Sequence, residues 1–205
     1  MYANNLRYES NKSSDSAYSV TLAKKAVIYY NLTNSIYPLY PETYYKLAST
    51  YRYNLKDDDK AEANLKHALK LDSAYFNASF ELAKLYLDKR DFKKSFEYFG
   101  KTYSINPKDS LTLFYYAQIA TAVGDMNTTY KLNKEFIQLY PALQYPYLNM
   151  GKYYSQTLKD DSAVIYFEKA IELGARSPEL LNLMVSYYDK NKNQEKANHF
   201  RGLLK

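Results

Sequence analysis

The feature that most constrains this chain is a pattern of small and apolar residues that returns about every 34 residues. Between Phe76 and Asp109, Leu82, Ala83 and Tyr86 recur at helical spacing, a turn intervenes, and Ser95, Phe99 and Thr102 follow before Pro107. Steps of three and four place one adhesive stripe on each of two amphipathic helices. A hairpin of two such helices buries only part of both stripes, so it needs a neighbour. The next copy offers one: Tyr116, Ala117, Ala120, Thr129, Phe136 and Pro141 hold the same spacing.

Extending the register in both directions gives one array over residues 1–205. Residues 41–75, 76–109, 110–143 and 144–177 are full units, and 178–205 is a last repeat whose Asn191 to Asn198 stretch is polar enough to face water. The unit at 41–75 carries Leu47, Ala48 and Tyr51, then Ala61, Leu65 and Ala68, with one extra residue in its turn. That at 144–177 carries Met150, Gly151 and Tyr154, then Ala163, Phe167 and Ala170, and closes on Gly174 instead of a proline, glycine being itself a helix stop. Residues 1–40 are irregular. Ala26, Tyr30, Thr33 and Pro38 keep the second half of the pattern, but the first helix is reduced to about Tyr2–Tyr8, and the polar stretch 9–16 is expected to form an enlarged loop. Asp15 or Ser16 is placed to cap a long helix reaching Asn34, and Asp59 with Glu62 has the spacing of a capping box.

With this period and these residues the chain resembles the tetratricopeptide repeat family. The resemblance implies an all-α, right-handed superhelical solenoid of about six helix-turn-helix repeats, some 12 helices without a sheet, that binds other proteins. A second resemblance covers the first 45 residues or so. The short degenerate repeat, the Lys-Ala-Val-Ile-Tyr-Tyr helix from Lys25 and the run Ile36 to Glu42 are similar to the soluble tails of multi-spanning bacterial glycosyltransferases. On that alternative the chain is one soluble part of a larger membrane enzyme.

Composition narrows the chemistry. Apolar residues at 46% and charged residues at 24% are an ordinary packable mixture, so disorder is not expected. There is no cysteine, which removes disulfides, thiolate metal sites and cysteine nucleophiles together. His67 and His199 lie on different second helices with no acidic cluster at ligand spacing, and the aspartates 57 to 59 lack the alternation and central glycine of a calcium loop. No paired histidine, phosphate loop or nucleophile elbow activates any serine or carboxylate. The chain is therefore read as non-catalytic, without cofactor or metal. No run reaches 18 apolar residues, so no membrane span is expected and a soluble, cytoplasmic setting is favoured. The net charge of +6 is spread without a basic block, so RNA binding by a related helical repeat is an outside alternative and no nucleic-acid partner is expected.

In the family fold, positions 2, 5, 9, 12 and 13 of each first helix project into the concave groove, opposite the packing positions 4, 7, 8 and 11. Position five reads Tyr45, Phe80, Phe114 and Leu148 in successive units, an apolar row with Ser49, Lys84, Gln118 and Lys152 at position nine and Arg52 at position 12 of the first of these units. Anchors beside amide and ammonium groups are what a peptide or partner helix requires, the anchors for area and the polar groups for register. The Lys-then-Asn clamp with which chaperone-binding relatives grip a C-terminal carboxylate is absent. The corresponding pairs here are Tyr45/Ser49, Phe80/Lys84, Phe114/Gln118, Leu148/Lys152 and Asn182/Ser186.

Overall fold

The computed structural model describes residues 2–204. Among them are α1 (Tyr2–Lys12), α2 (Ser16–Ile36), α3 (Pro41–Ser49), α4 (Asp58–Leu71), α5 (Phe76–Asp88), α6 (Phe92–Ile105), α7 (Ser110–Ala122), α8 (Met126–Leu139), α9 (Gln144–Gln156), α10 (Asp160–Glu172), α11 (Pro178–Lys190) and α12 (Gln194–Gly202), with no strand. They pair in chain order as six hairpins, α1 with α2 through α11 with α12. The repeat spacing predicts one array; the chain divides into two compact units, Met1–Pro107 and Lys108–Lys205, each holding three hairpins.

The turns inside four of the six hairpins share one design. Arg90, Gly124, Leu158 and Lys192 take positive φ at +58°, +80°, +56° and +56°, and the next residue sends its N–H back to the carbonyl five residues earlier: Asp91 to Tyr86, Asp125 to Ala120, Lys159 to Tyr154 and Asn193 to Tyr188. This left-handed closure satisfies carbonyls that the helix end leaves free. Asp91, Asp125 and Asn193 then cap the second helix by accepting from Lys94, Thr128 and Lys196 N–H. Only Gly124 adopts its φ without steric cost; the other three hold a side chain there because the capped turn fixes the backbone around them.

Residues 41–75 absorb their extra residue in the last turn of the first helix, where Thr50–Asn54 is π-helical and Leu55 N–H bonds Thr50 O. Asp57 consequently follows Tyr51 by six positions, and it is Asp57, not Asp59, that caps α4, accepting from Lys60 N–H at 3.0 Å. The capping box expected at Asp59 and Glu62 does not form because Glu62 is engaged elsewhere. Its carboxylate accepts from Tyr86 Oη and Lys66 Nζ, both at 2.7 Å, and from Lys89 Nζ at 3.0 Å. Burial alone would push this carboxyl up; the three donors outweigh it and hold it down at about 2. Glu168 plays the same part in the second unit, accepting from Tyr188 Oη and Lys196 Nζ at 2.7 Å.

The expected loop at 9–16 is also corrected. α1 continues to Lys12, leaving only Ser13–Asp15 as the turn, and Asp15 caps α2 through Ala17 and Tyr18 N–H. The polar stretch stays helical because Ser10 is buried with its hydrogen bonds met. Its hydroxyl donates to Ser19 O, Ser19 donates back to Ser10 O, both at 2.9 Å, and Asn54 Nδ2 reaches Ser10 Oγ.

Each unit has its own core. Leu47, Leu65, Leu82, Leu85 and Phe99 are buried in residues 2–107; Leu113, Leu132, Phe136, Met150, Phe167 and Met184 are buried in residues 108–204. Position 24 of the units that start at residues 76, 110 and 144 reads Phe99, Asn133 and Phe167, so α8 places an amide where the units on either side place an aromatic ring. Asn133 is 0% exposed; its Nδ2 donates to Thr129 O but its Oδ1 has no partner. An unpaired buried acceptor costs about 1–3 kcal/mol, so Asn133→Leu is expected to stabilise the protein by about 1–2 kcal/mol in denaturant titration. A lower midpoint would mean that the amide is satisfied.

Candidate functional site

In residues 2–107 the predicted face is partly occupied by the protein itself. Tyr45 and Phe80 are half-buried. Tyr45 meets Tyr75 in a T-shaped contact at 5.8 Å between centroids, and Phe80 stacks on Phe76 at 6.0 Å while making a T-shaped contact with Phe99 at 5.8 Å. Ser49 is buried and donates to Tyr45 O. Arg52 is buried too. Its Nη1 reaches Glu81 O at 2.9 Å and the Glu81 carboxylate at 3.1 Å, and its Nη2 binds Asp88, which ties α5 to the π-helical turn. Arg52 thus braces two repeats, its guanidinium held by Glu81 and Asp88. Tyr53 donates to the same Glu81 at 2.5 Å, and burial followed by that carboxylate pushes its phenol well above the usual range. Lys84 sits half-buried, 5.9 Å from both the Tyr53 and Phe80 rings and 3.9 Å from Glu81. Of the five residues expected on this face, Tyr45, Phe80 and Lys84 retain exposed surface.

In residues 108–204 the predicted positions stand more open. Phe114 is half-buried in T-shaped contacts with Tyr115 and Tyr145 at 5.1 and 5.0 Å, and Gln118 is exposed. Leu148, Lys152, Ser155 and Gln156, positions 5, 9, 12 and 13 of α9, line one wall of an open cleft of ≈ 520 Å³. Glu179, Leu180 and Leu183 of α11 form the facing wall, and Phe167 of α10 lies between them. A second opening of ≈ 320 Å³ shares Ser155, Phe167 and Leu183 and continues along α11 to Ser186 and Lys190. Lys152 is exposed and has no ion-pair partner among the described residues. The cleft therefore offers an apolar trough with the Lys152 ammonium on one wall and the Glu179 carboxylate on the other. Sequence reasoning missed the α11 wall. The positional rule carried into the last repeat would have named Glu179; Leu183, at position six and 46% exposed, lies outside it.

The histidines take no part in either face. Both are exposed, and the His67 ring lies against Tyr44 at 4.2 Å.

Residues 41–75, 76–109 and 145–173 match the tetratricopeptide repeat family model. Among solved structures, YrrB, described as a tetratricopeptide repeat protein with an unusual peptide-binding site, has a TM-score of 0.71 at 15% identity, covering 85% of this chain and 90% of its own. PilW, a type IV pilus biogenesis factor, has a TM-score of 0.69 at 15% identity, covering 98% and 91%. At such identities the likeness is one of fold. In sequence, the uncharacterized protein RP472 of Rickettsia prowazekii (strain Madrid E) is 35% identical over 123 residues, 56% of this chain. The chain covers only 36% of that relative's length. Proteins of this architecture bind protein or peptide partners and are generally non-catalytic scaffolds. Among the described residues no helix is long and apolar enough to cross a membrane.

Proposed function

For this chain of tetratricopeptide repeats, we propose a non-catalytic interaction module that holds a segment of a partner protein in the cleft between α9 and α11. The observation that carries the reading is the coincidence of two independent criteria. Four residues chosen by repeat position alone, Leu148, Lys152, Ser155 and Gln156, form one wall of the same apolar opening. Leu148, Leu180, Leu183 and Phe167 supply contact area for an apolar anchor, and Lys152 and Gln156 fix its register through hydrogen bonds. YrrB, a protein with the same fold, is described by its peptide-binding site, which supports using this architecture for a peptide.

Selection of peptides from a random displayed library against the whole chain tests the proposal. Leu183→Asp is expected to weaken selected peptides at least tenfold, because it sets an unpaired carboxylate on the trough wall. The melting temperature should stay within a few degrees, since Leu183 already has nearly half of its surface in water. Peptides that bind Leu183→Asp and Lys152→Glu as tightly as the wild type would overturn the assignment.

A further inference from the structure

The charges around the cleft between α9 and α11 describe what can lie in it. The openings of ≈ 520 and ≈ 320 Å³ share Ser155, Phe167 and Leu183, so they form one trough along α11. Its apolar lining includes the buried Phe167 in both openings, Leu180 in the first and Val164 in the second. Each opening also has one cation and one anion in its lining. The first has Lys152 of α9 and Glu179 of α11; the second has Asp160 of α10 and Lys190 of α11. All four side chains are exposed, and among the described residues none is in an ion pair. Other charges of these helices contrast with them: Lys169 is held by Glu172, Lys196 by Glu168 and Arg201 by Asp189. Along α11 the sign thus runs from negative at Glu179 to positive at Lys190, and across the trough it runs from positive at Lys152 to negative at Asp160.

An extended peptide would bring an unpaired N–H and C=O at each residue, and among the described residues there is no strand edge to pair them. A helix pairs its own. At about 1.5 Å per residue, Glu179 and Lys190 stand about 16 Å apart along α11, which is room for about three helical turns. An apolar stripe at i, i+4 and i+7 of such a helix would cover the apolar lining and leave its flanking residues against the four charges. We propose that the trough takes an amphipathic helix of the partner whose flanking residues oppose the lining in sign, with bases against Glu179 and Asp160 and acids against Lys152 and Lys190. The inference rests on the peptide-binding reading of the cleft and adds the partner's conformation and charge pattern to it. Uniformly acidic or uniformly basic helices are disfavoured, since each would set like charges against two of the four groups.

The probe is a displayed library of helical peptides of about four turns, with leucine fixed at i, i+4 and i+7 and Glu, Lys or Gln at every flanking position. Selection against the full chain is expected to enrich peptides that carry both signs. The strongest of them should bind Lys152→Glu at least tenfold more weakly, and changing one of its acids to Lys should restore the affinity. Lys190→Glu should behave in the same way but be rescued at a different acid of the same peptide. Both lysines are exposed, so the two variants should melt within a few degrees of the wild type. Enrichment of a single sign, or equal binding to the wild type and both variants, overturns the charge pattern; the cleft reading still stands if Leu183→Asp weakens the same peptides. If the helical library yields nothing while the random library yields peptides that Leu183→Asp weakens, the helix is overturned and the cleft remains. Failure of both libraries removes both readings.

Discussion

Phe99→Ala is expected to destabilise the unit formed by residues 2–107 by about 3–5 kcal/mol, the largest loss of any single truncation in it. Phe99 is 0% exposed and stands on α6 where it closes against α5, its ring in a T-shaped contact with Phe80 at 5.8 Å. The hairpin around it is also joined by Tyr86 of α5 stacked on Tyr98 of α6 at 5.5 Å and by small polar pairs. Ser95 Oγ donates to Ala83 O at 2.9 Å, and Thr102 Oγ1 donates to Ser79 Oγ at 3.1 Å. The polar pairs set spacing but bury little apolar area, so the fully buried Phe99 ring is a major source of hydrophobic stabilisation between α5 and α6. Removing it also takes away the support beneath Phe80, on the face where Tyr45 and Lys84 keep exposed surface. Denaturant titration followed by tyrosine fluorescence should show a shifted midpoint, and hydrogen exchange should accelerate first in α5 and α6. A loss under about 1 kcal/mol would mean that neighbouring side chains collapse into the space.

Much of this was readable from the residues because a repeat states its register several times. Leu82, Ala83, Tyr86, Ser95, Phe99 and Thr102 fixed which sides of two helices are core, and every one of them is buried. Tyr45, Phe80, Phe114 and Leu148 were placed by the same arithmetic, and all four are half-buried. The misses share a physical cause: they depend on partners distant in sequence or on an added residue. Ser10 and Glu9 look like loop until Ser19 and Asn54 are seen to satisfy the Ser10 hydroxyl. Asp59 has the spacing of a cap, but the π-helical turn moves the start of α4 so that Asp57 holds the position. Arg52 stands at a ligand-facing position of its own helix, yet Glu81 and Asp88 of the next repeat fold it inward. Spacing along one helix reports a direction; whether water, ligand or another repeat lies in that direction is decided by the neighbour.

Gly151→Ala is expected to be destabilising although alanine is the better helix former. A Cβ at residue 151 would lie 2.4 Å from Cδ1 and Cε1 of Phe167, well inside the roughly 3.5–4.0 Å at which carbon atoms rest. α9 and α10 therefore approach through the missing side chain, where α5 and α6 accommodate Ala83 opposite Phe99. Phe167 cannot easily retreat, since it is packed in the cluster with Ala163, Leu180, Leu181 and Met184. Overpacking of this kind costs about 1–3 kcal/mol or more, against a gain of about 1 kcal/mol in helix propensity. The decisive measurement is the double mutant. In a Phe167→Leu background the clash is gone, so Gly151→Ala should become neutral or stabilising, a coupling of about 2–3 kcal/mol between the two sites. An additive pair, with Gly151→Ala stabilising in both backgrounds, would show that the ring yields freely. The same contact reaches the cleft, because Phe167 lies between the α9 wall at Leu148 and the α11 wall at Leu183. A methyl group at residue 151 can be relieved only by moving that ring, and movement toward the opening fills the space that an apolar anchor would enter. Gly151→Ala should accordingly weaken peptides selected against the cleft even at temperatures where the protein stays folded, and Phe167→Leu should restore them.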